Sequence, residues 1–395
     1  MPTALTTESS QPDRVSKHAD GRFGYIPVQT RSARFKSTNV SDFDTVTGRE
    51  AVWKYIPVAK FTDLLSGDLN GSPYEFDVTS AADITVEWVE RTDPRIGGAG
   101  APEERASANA WTGFEKALAI TVSGEEAKEI TLSRSLLGSS ARGAHTIIEA
   151  KPFSQATIIL QNSGDARLTE NVEIILGDSA NLTVVTVQEW DDEAVHLSNH
   201  FASVGRDARL KHVVVSLGGR IVRVSPSVCL AGTAADTELL GLYFADSGQH
   251  LEQQVYVNHD APKSRSRVNY KGALQGKGAH TVWIGDVLIG NKAAGTDSYE
   301  QNRNLVLTEG TRADSVPNLE IETGDIVGAG HASATGRFDD EQLFYLQSRG
   351  ITDEEARRLV VRGFLTEIVQ KIGSPDLEAR LLLAIEAELL TTDGK

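Results

Sequence analysis

"GDSANLTVV" (177–185), "GRDARLKHV" (205–213) and "GTAADTELL" (232–240) share one plan: a glycine, an alanine three residues later, then a strand-like run. The three glycines stand 28 and 27 residues apart, an interval at which repeats form the stacked turns of a solenoid. The same Gly-x-x-Ala opens "GKGAHTVWI" (276–284) and "GTRADSVPNL" (310–319). Gly and Ala are common, so coincidence is the competing account of such short matches. Read positively, each repeat is one coil of a β-helix, a turn followed by short strands. Such a fold must also protect its terminal edges, because an exposed strand pairs with whatever meets it.

Outward from these repeats, the chain from about 112 to 325 has an almost purely β texture. Runs such as "EITLS", "HTIIEA", "VEIILG", "NLTVVTV", "TVWIGDVLI" and "NLVLT" are apolar or alternating, with Gly, Asp and Asn between them. On the N-terminal side, "ADITVEWVE" (82–90) alternates like a strand, and "RTDPRIGGAGAPEERASA" (91–108) reads as a loop or linker. On the C-terminal side the pattern becomes helical. Asp339 is expected as an N-cap with Gln342 three residues on, and Gly350 as the stop. Thr352 and Glu355 form a capping box for a second helix, whose apolar face carries Leu359, Val360, Phe364, Leu365, Ile368 and Ile372. Gly373 ends that helix, and Ser374-Pro375 starts a third.

The expected fold is therefore mainly β: a right-handed β-helix with a small N-terminal mixed region and a C-terminal α-helical domain. Its divisions are a disordered tail at 1–20, a mixed region and linker at 21–110, a β-helix core at 111–335 and helices at 336–395.

Composition narrows the function. A net charge of −16 over 395 residues argues against binding nucleic acid or an anionic membrane surface. The first twenty residues have no apolar core for a secretion signal, and no run approaches a membrane span. With Cys229 as its single cysteine, the chain has no disulfide framework and cannot build a four-thiolate metal site by itself. The expected location is cytoplasmic.

Catalytic signatures are missing. "GALQGKG" ends in Gly where a phosphate-binding loop needs Ser or Thr, and H-E-x-x-H and G-x-S-x-G are absent. His196 and His200 have metal-ligand spacing for a helix but lie in strand-like sequence. His259 and His280 sit at expected turns, as backbone caps. Cys229 in "SVCLAG" reads as a buried, inert thiol. The stretch "YVNHDAPKSRSRVNYKG" (256–272) is locally basic and reads as a solvated face. His331 is singled out by its neighbours Gly328, Ala329, Gly330, Ala332, Ser333 and Ala334, which leave an imidazole accessible. The competing reading is an ordinary hinge between the β and α regions.

The stretch "GTDSYEQNRNLVLTEGTRADSVPNLEIETGDIVGAGHASATGRFDDEQLFYLQSRGI" (295–351), with "HDAPKSRSRVNYKG" and "REAVWKYIPV", resembles the SufB/SufD family of iron–sulfur cluster assembly proteins. The resemblance covers residues 50 to 372. A short, nearly cysteine-free chain is similar to the SufD type. Many relatives carry a cysteine two residues before the histidine; "DIVGAGH" has none. The resemblance implies a non-catalytic scaffold subunit joined to a SufB-type paralogue through the β-helix end, with Asn302, Arg303 and Asn304 at that interface. His331 would be a candidate ligand or proton-handling group for a transient cluster shared with SufB. A SufC-type ATPase would supply ATP hydrolysis and dock on the helices through Tyr345, Leu346, Arg349, Glu354 and Arg358, with Phe344 in the core. No cofactor would be held stably by this chain alone, and a flavin could bind at the level of the complex. Two alternatives stand beside this reading: a homodimeric β-helix scaffold or storage protein without SufB, and a carbohydrate-active β-helix enzyme. The second is disfavoured by an aromatic content of 6%.

Overall fold

The Gly-x-x-Ala repeat is a corner. In the computed structural model, a Cβ on Gly177 would lie 2.7 Å from the Pro152 nitrogen, and one on Gly232 would lie 2.1 Å from the Arg206 nitrogen. Only glycine lets the preceding coil come that close. The third residue of each repeat, Ser179, Asp207 or Ala234, adopts a positive φ of 60, 56 or 59°. Its N–H thereby points along the stack and donates to the next coil, at the carbonyls of Arg206, Thr233 and Pro262. The closing alanines, Ala180, Ala208 and Ala235, are buried. "GKGA" (276–279) keeps the left-handed third residue, Gly278, and the buried Ala279, although its opening Gly276 is left-handed as well. "GTRA" (310–313) does not: Gly310 itself has the positive φ, and Ala313 already lies within a strand. At "GNKAAG" (290–295) the left-handed residue is Gly295, two places after the alanine, and its N–H donates to the Asp325 carbonyl.

The structure describes residues 35–337 and 340–390, together with the pairs 15–16 and 26–27. The expected tail at 1–20 and the expected N-cap Asp339 fall outside them, apart from Val15–Ser16. The chain divides into two units, Met1–Phe35 and Lys36–Lys395. In the first, β1 (Val15–Ser16) pairs antiparallel with β2 (Ile26–Pro27).

The second unit carries the remaining strands in chain order. They begin with β3 (Asp77–Val78), β4 (Ile84–Glu90), β5 (Lys116–Val122), β6 (Lys128–Arg134), β7 (Gly138–Ala150) and β8 (Gln155–Gly164). Next come β9 (Ala166–Leu176), β10 (Asn181–Trp190), β11 (Val195–Val204), β12 (Arg209–Ser216), β13 (Ile221–Leu230) and β14 (Asp236–Ala245). The last are β15 (His250–His259), β16 (Arg265–Leu274), β17 (His280–Ile289), β18 (Thr296–Val306), β19 (Arg312–Ile321) and β20 (Ile326–Arg337). Successive strands alternate between two nine-stranded sheets, ordered β20-β18-β16-β14-β12-β10-β8-β6-β3 and β19-β17-β15-β13-β11-β9-β7-β5-β4. All pairings within them are parallel except those of β3 and β4, so the chain is a β-solenoid of about eight turns. One end is capped by β3 and β4, one on each sheet, and by Tyr74, Phe76 and Trp88, whose ring centroids lie 5.0–6.5 Å apart.

Side chains alternate between the lumen and the outside, as the strand period of two demands, except where the register shifts at the starts of β7 and β20. The lumen is filled by residues such as Ile120, Leu182, Val224, Leu251 and Trp283. Large rings fit because glycines face them: a Cβ on Gly241 would overlap the Tyr270 ring, and one on Gly272 the Tyr243 ring, each at 1.9 Å.

Helices cover the outer faces. The helices α1 (Thr62–Ser66) and α2 (Arg105–Gly113) belong to the N-terminal region, whose Trp53, Phe61 and Leu64 pack with Val195, Leu197 and Ile221 on the β19 sheet. Residues 105–108, read from sequence as linker, begin α2. The Glu104 carboxylate caps them, accepting from the N–H groups of Ala106 and Ser107. Then follow α3 (Asp340–Ser348), α4 (Asp353–Val369) and α5 (Pro375–Leu390). Thr352 caps α4 through Glu355 N–H at 3.2 Å, as the capping box predicts. Val361, Leu365, Ile368, Leu381 and Ile385 of α4 and α5 pack on Val185, Val213, Leu240, Leu242 and Phe244 of the β20 sheet. Each such buried side chain contributes about 1.5–3 kcal/mol relative to exposure. Lys271, buried on β16, adds a polar clamp: its ammonium donates to Glu367 Oε2 at 2.5 Å and to the Phe364 carbonyl at 3.0 Å. Of the expected apolar face of α4, Leu359 is exposed, and Val361 is buried in addition.

Candidate functional site at the open end of the solenoid

The two ends of the stack differ. Opposite the aromatic cap, β19 and β20 terminate their sheets, each hydrogen-bonded within its sheet on one side only. Among the described residues nothing pairs with their other edges, and β20 is exposed from His331 onward. Edges of this kind are templates for another strand.

His331 lies in the middle of β20, so it is part of the ladder and not a hinge between regions. Its register partner on β18 is Glu300, and the period of two directs both toward the lumen. His331 Nδ1 is 3.8 Å from Glu300 Oε1, and the two side chains differ sharply in exposure, 43% against 1%. Neither Glu300 oxygen has a hydrogen-bond partner. Burial, with a smaller push from Asp286, raises its pKa to about 8. Gly285 makes the room for it, since a Cβ there would lie 2.4 Å from Glu300 Oε2. One step further along β20, Ser333 Oγ donates to Ser315 Oγ at 2.8 Å, joining the two sheets across the last coil.

The glycines of β20 are small for another reason than those inside. A Cβ added at Gly328 or Gly336 would meet nothing within 4 Å. Among the described residues no contact explains the small size of these two, which leaves space for a close approach, whereas a Cβ on Gly330 would meet the Tyr299 ring at 3.4 Å.

Asn302 and Asn304, expected at an interface, are interior. They share the lumen face with Glu300, where Asn302 Nδ2 donates to Tyr243 Oη (2.8 Å) and Tyr243 donates to Asn304 Oδ1 (2.7 Å). The strand period decides this: 300, 302 and 304 face inward, and Arg303 alone of the three faces solvent.

A family model described as SUF system FeS cluster assembly, SufBD core domain, matches residues 135–364, from just before β7 into α4 and across the whole open end. An iron-sulfur cluster assembly SufBD family protein of Mycobacterium bovis is 48% identical over 371 residues, covering 91% of this chain and 93% of its own. One of Mycobacterium leprae is 48% identical over 373 residues, covering 91% and 95%. The chain belongs to the SufBD family. Mycobacterium bovis has a second SufBD family protein, 29% identical to this chain over 218 residues, which are 55% of this chain and 26% of that longer one.

On the helices of this SufBD protein, Tyr345 is 57% exposed with the Arg349 guanidinium 5.1 Å from its ring centroid. Leu346 is half-buried, and Glu354 and Arg358 form an exposed i, i+4 pair at 4.0 Å. Phe344, expected in the core, is 72% exposed; Leu343 takes the inward position. The difference is one residue of helical phase, about 100° of rotation, which a short amphipathic run does not fix.

The remaining histidines are mostly satisfied structural groups. His196 is buried on β11, accepting from Trp190 Nε1 (3.1 Å) and donating to Glu170 Oε1 (2.7 Å), beside Arg134. His200 is hydrogen-bonded to Ser198 and His212. Burial lowers the pKa of all three, to about 4 for His212. His259 bridges Ser264 and Ser266. His280 opens β17 and reaches Asp314, so it is a strand residue and not a turn cap. Burial raises the Cys229 thiol pKa, with Asp260 adding to the push, consistent with an inert cysteine. Among the described residues no helix is long and apolar enough to cross a membrane.

Glu300 is the site residue that sequence reasoning passed over. Its signal is the alternation of "TDSYEQNRN", which puts residues 296, 298, 300, 302 and 304 on the buried face of β18.

Proposed function

We propose that this SufBD protein is a non-catalytic, SufD-type scaffold subunit that pairs edge to edge, at the open end of its solenoid, with a cysteine-richer SufB-type paralogue in the cytoplasm. The observation that carries this reading is the pair of edges at β19 and β20 left unpaired among the described residues, with an accessible imidazole on the strand whose Gly328 and Gly336 face open space. The second SufBD protein of Mycobacterium bovis supports a paralogous partner. The iron–sulfur cluster is cargo. His331 offers one borderline nitrogen donor to iron, and a chain with a single, half-buried cysteine leaves the thiolates to the partner. The exposed ring pair Phe344 and Tyr345, with Leu346, Arg349, Glu354 and Arg358, is the docking face for a SufC-type ATPase, which performs the ATP hydrolysis.

The test is affinity purification of the tagged chain from its own host, with the co-purifying proteins identified. A Walker-type ATPase and a cysteine-rich relative are expected. In the recovered complex, His331→Ala is expected to keep assembly and lower iron and sulfide content. Recovery of this chain alone as a stable homodimer would overturn the reading.

A further inference from the structure

Two histidines meet head-on on the outward-facing side of β15 and β17. His250 and His280 are register partners, and their Nδ1 atoms lie 3.1 Å apart. Both outer nitrogens are engaged by carboxylates: His250 Nε2 is 3.0 Å from Glu252 Oε2, and His280 Nε2 is 2.7 Å from Asp314 Oδ2. Each carboxylate has its own arginine. Arg223 Nε lies 3.5 Å from Glu252 Oε1, and Arg312 Nε lies 2.7 Å from Asp314 Oδ2. Arginine stays charged, so both carboxylates remain ionised and can only accept.

The proton count along this row does not close. Three successive contacts need three bridging protons, whereas two neutral imidazoles bring one N–H each. With both Nε2–H groups donating to carboxylates, the two Nδ1 lone pairs face one another with nothing between them. The buried pair His200–His212 is the internal control. There His212 Nε2–H donates to His200 Nδ1, His200 Nε2–H donates to Ser198 Oγ, and the Ser198 hydroxyl donates to Glu170. Every contact has its proton with both rings neutral.

We propose that His250 Nδ1 and His280 Nδ1 are the two protein ligands of a divalent first-row transition-metal ion, with water completing its coordination. A metal-bound histidine passes its other N–H to a carboxylate, and both rings do so here. Two nitrogens each about 2.0–2.1 Å from one tetrahedral ion stand about 3.3 Å apart, within a few tenths of an ångström of the spacing found. Imidazole nitrogens suit iron, cobalt, nickel, copper and zinc. His280 and Asp314 keep 18% and 21% of their side-chain surface in solvent, which gives an ion its approach. Among the described residues no three ligating side chains surround one point, so the site holds its ion by two nitrogens.

The experiment uses the full-length chain, stripped by chelation and titrated with Co²⁺ by visible absorption and with Zn²⁺ by calorimetry. Wild type, His280→Ala, Asp314→Asn and His331→Ala are compared. Wild type and His331→Ala are expected to bind one ion per chain. Asp314→Asn should bind about 10–100-fold more weakly, the usual effect of losing a carboxylate behind a metal-bound imidazole, and His280→Ala should lose the site. Circular dichroism of each metal-free variant checks that the fold is kept, with Asp314→Asn deciding the matter where His280→Ala does not fold. Absence of binding in wild type, or binding that both variants leave untouched, overturns the proposal. Loss only in His331→Ala would move the ion to the open end. Imidazole ¹⁵N shifts showing a doubly protonated ring in the metal-free chain at pH 7.5 would assign the gap to a third proton and overturn it as well.

Discussion

His259 offers a test of how the lumen treats ionisable groups. It is fully buried at the end of β15, with Ser264 Oγ 2.7 Å from Nδ1 and Ser266 Oγ 2.9 Å from Nε2. Burial lowers its pKa from 6.5 to about 4, against a small opposing pull from Asp297. The folded chain therefore keeps this ring neutral where the unfolded chain protonates it. A depressed folded-state pKa means that the stabilisation is complete above pH 6.5 and drains away as pH falls toward 4. At about 1.4 kcal/mol per pH unit, the loss is about 3 kcal/mol by pH 4. His259→Gln keeps an acceptor and a donor for the two serines and removes the titration. At pH 7.5 the variant should be less stable than wild type by about 1–2 kcal/mol, the cost of poorer hydrogen bonds. By pH 4 it should be the more stable of the two. Urea unfolding followed by circular dichroism at both pH values measures the crossing. A stability difference that stays the same at pH 7.5 and pH 4 would refute the reasoning.

Gly272→Ala drives a Cβ to 1.9 Å from the Tyr243 ring; displacing that ring and its bonds to Asn302 and Asn304 should cost about 2–4 kcal/mol, read as a lower urea midpoint. Lys271→Met removes the clamp to Glu367 and the Phe364 carbonyl, so limited proteolysis should cut within α4 and α5 sooner than in wild type while the solenoid strands stay protected. Glu300→Gln replaces a carboxyl whose pKa burial raises from 4.5 to about 8. Its neutral form is favoured in the fold, so stability is complete below pH 4.5 and is lost as pH rises toward 8. The variant should match wild type at pH 5 and exceed it at pH 8 by about 3–5 kcal/mol in urea unfolding.

The solenoid was legible because its corners impose residue types. A glycine pressed against the previous coil and an alanine turned into the lumen recur whatever the strands between them contain. The helix starts and stops at Thr352, Gly350 and Gly373 were legible for a similar local reason. What sequence could not supply was the partner of each face. Phe344 and Leu343 are neighbours in a short helix, and only the packing of α3 on α4 decides which is buried. Asn302, Asn304 and Glu300 form one inward row, recognisable by alternation, yet a run of polar residues facing the lumen contradicts the usual reading of inward as apolar. The His250–His280 contact joins residues thirty positions apart, and it exists only because coil lengths bring them into register.

The corner ladder has a consequence for length. Each left-handed residue ties its coil only to the next, so the corners keep no record of how many coils the stack holds. Excising residues 205–231 whole would let Gly232 take the place of Gly205, move the aromatic cap about 4.8 Å nearer the open end, and leave every remaining side chain on its own face. Excising one residue from a strand would instead turn that strand inside out. The protein is a ruler graduated in whole coils: the distance from cap to open end can change only by full divisions, and the chemistry at its tip is indifferent to the count.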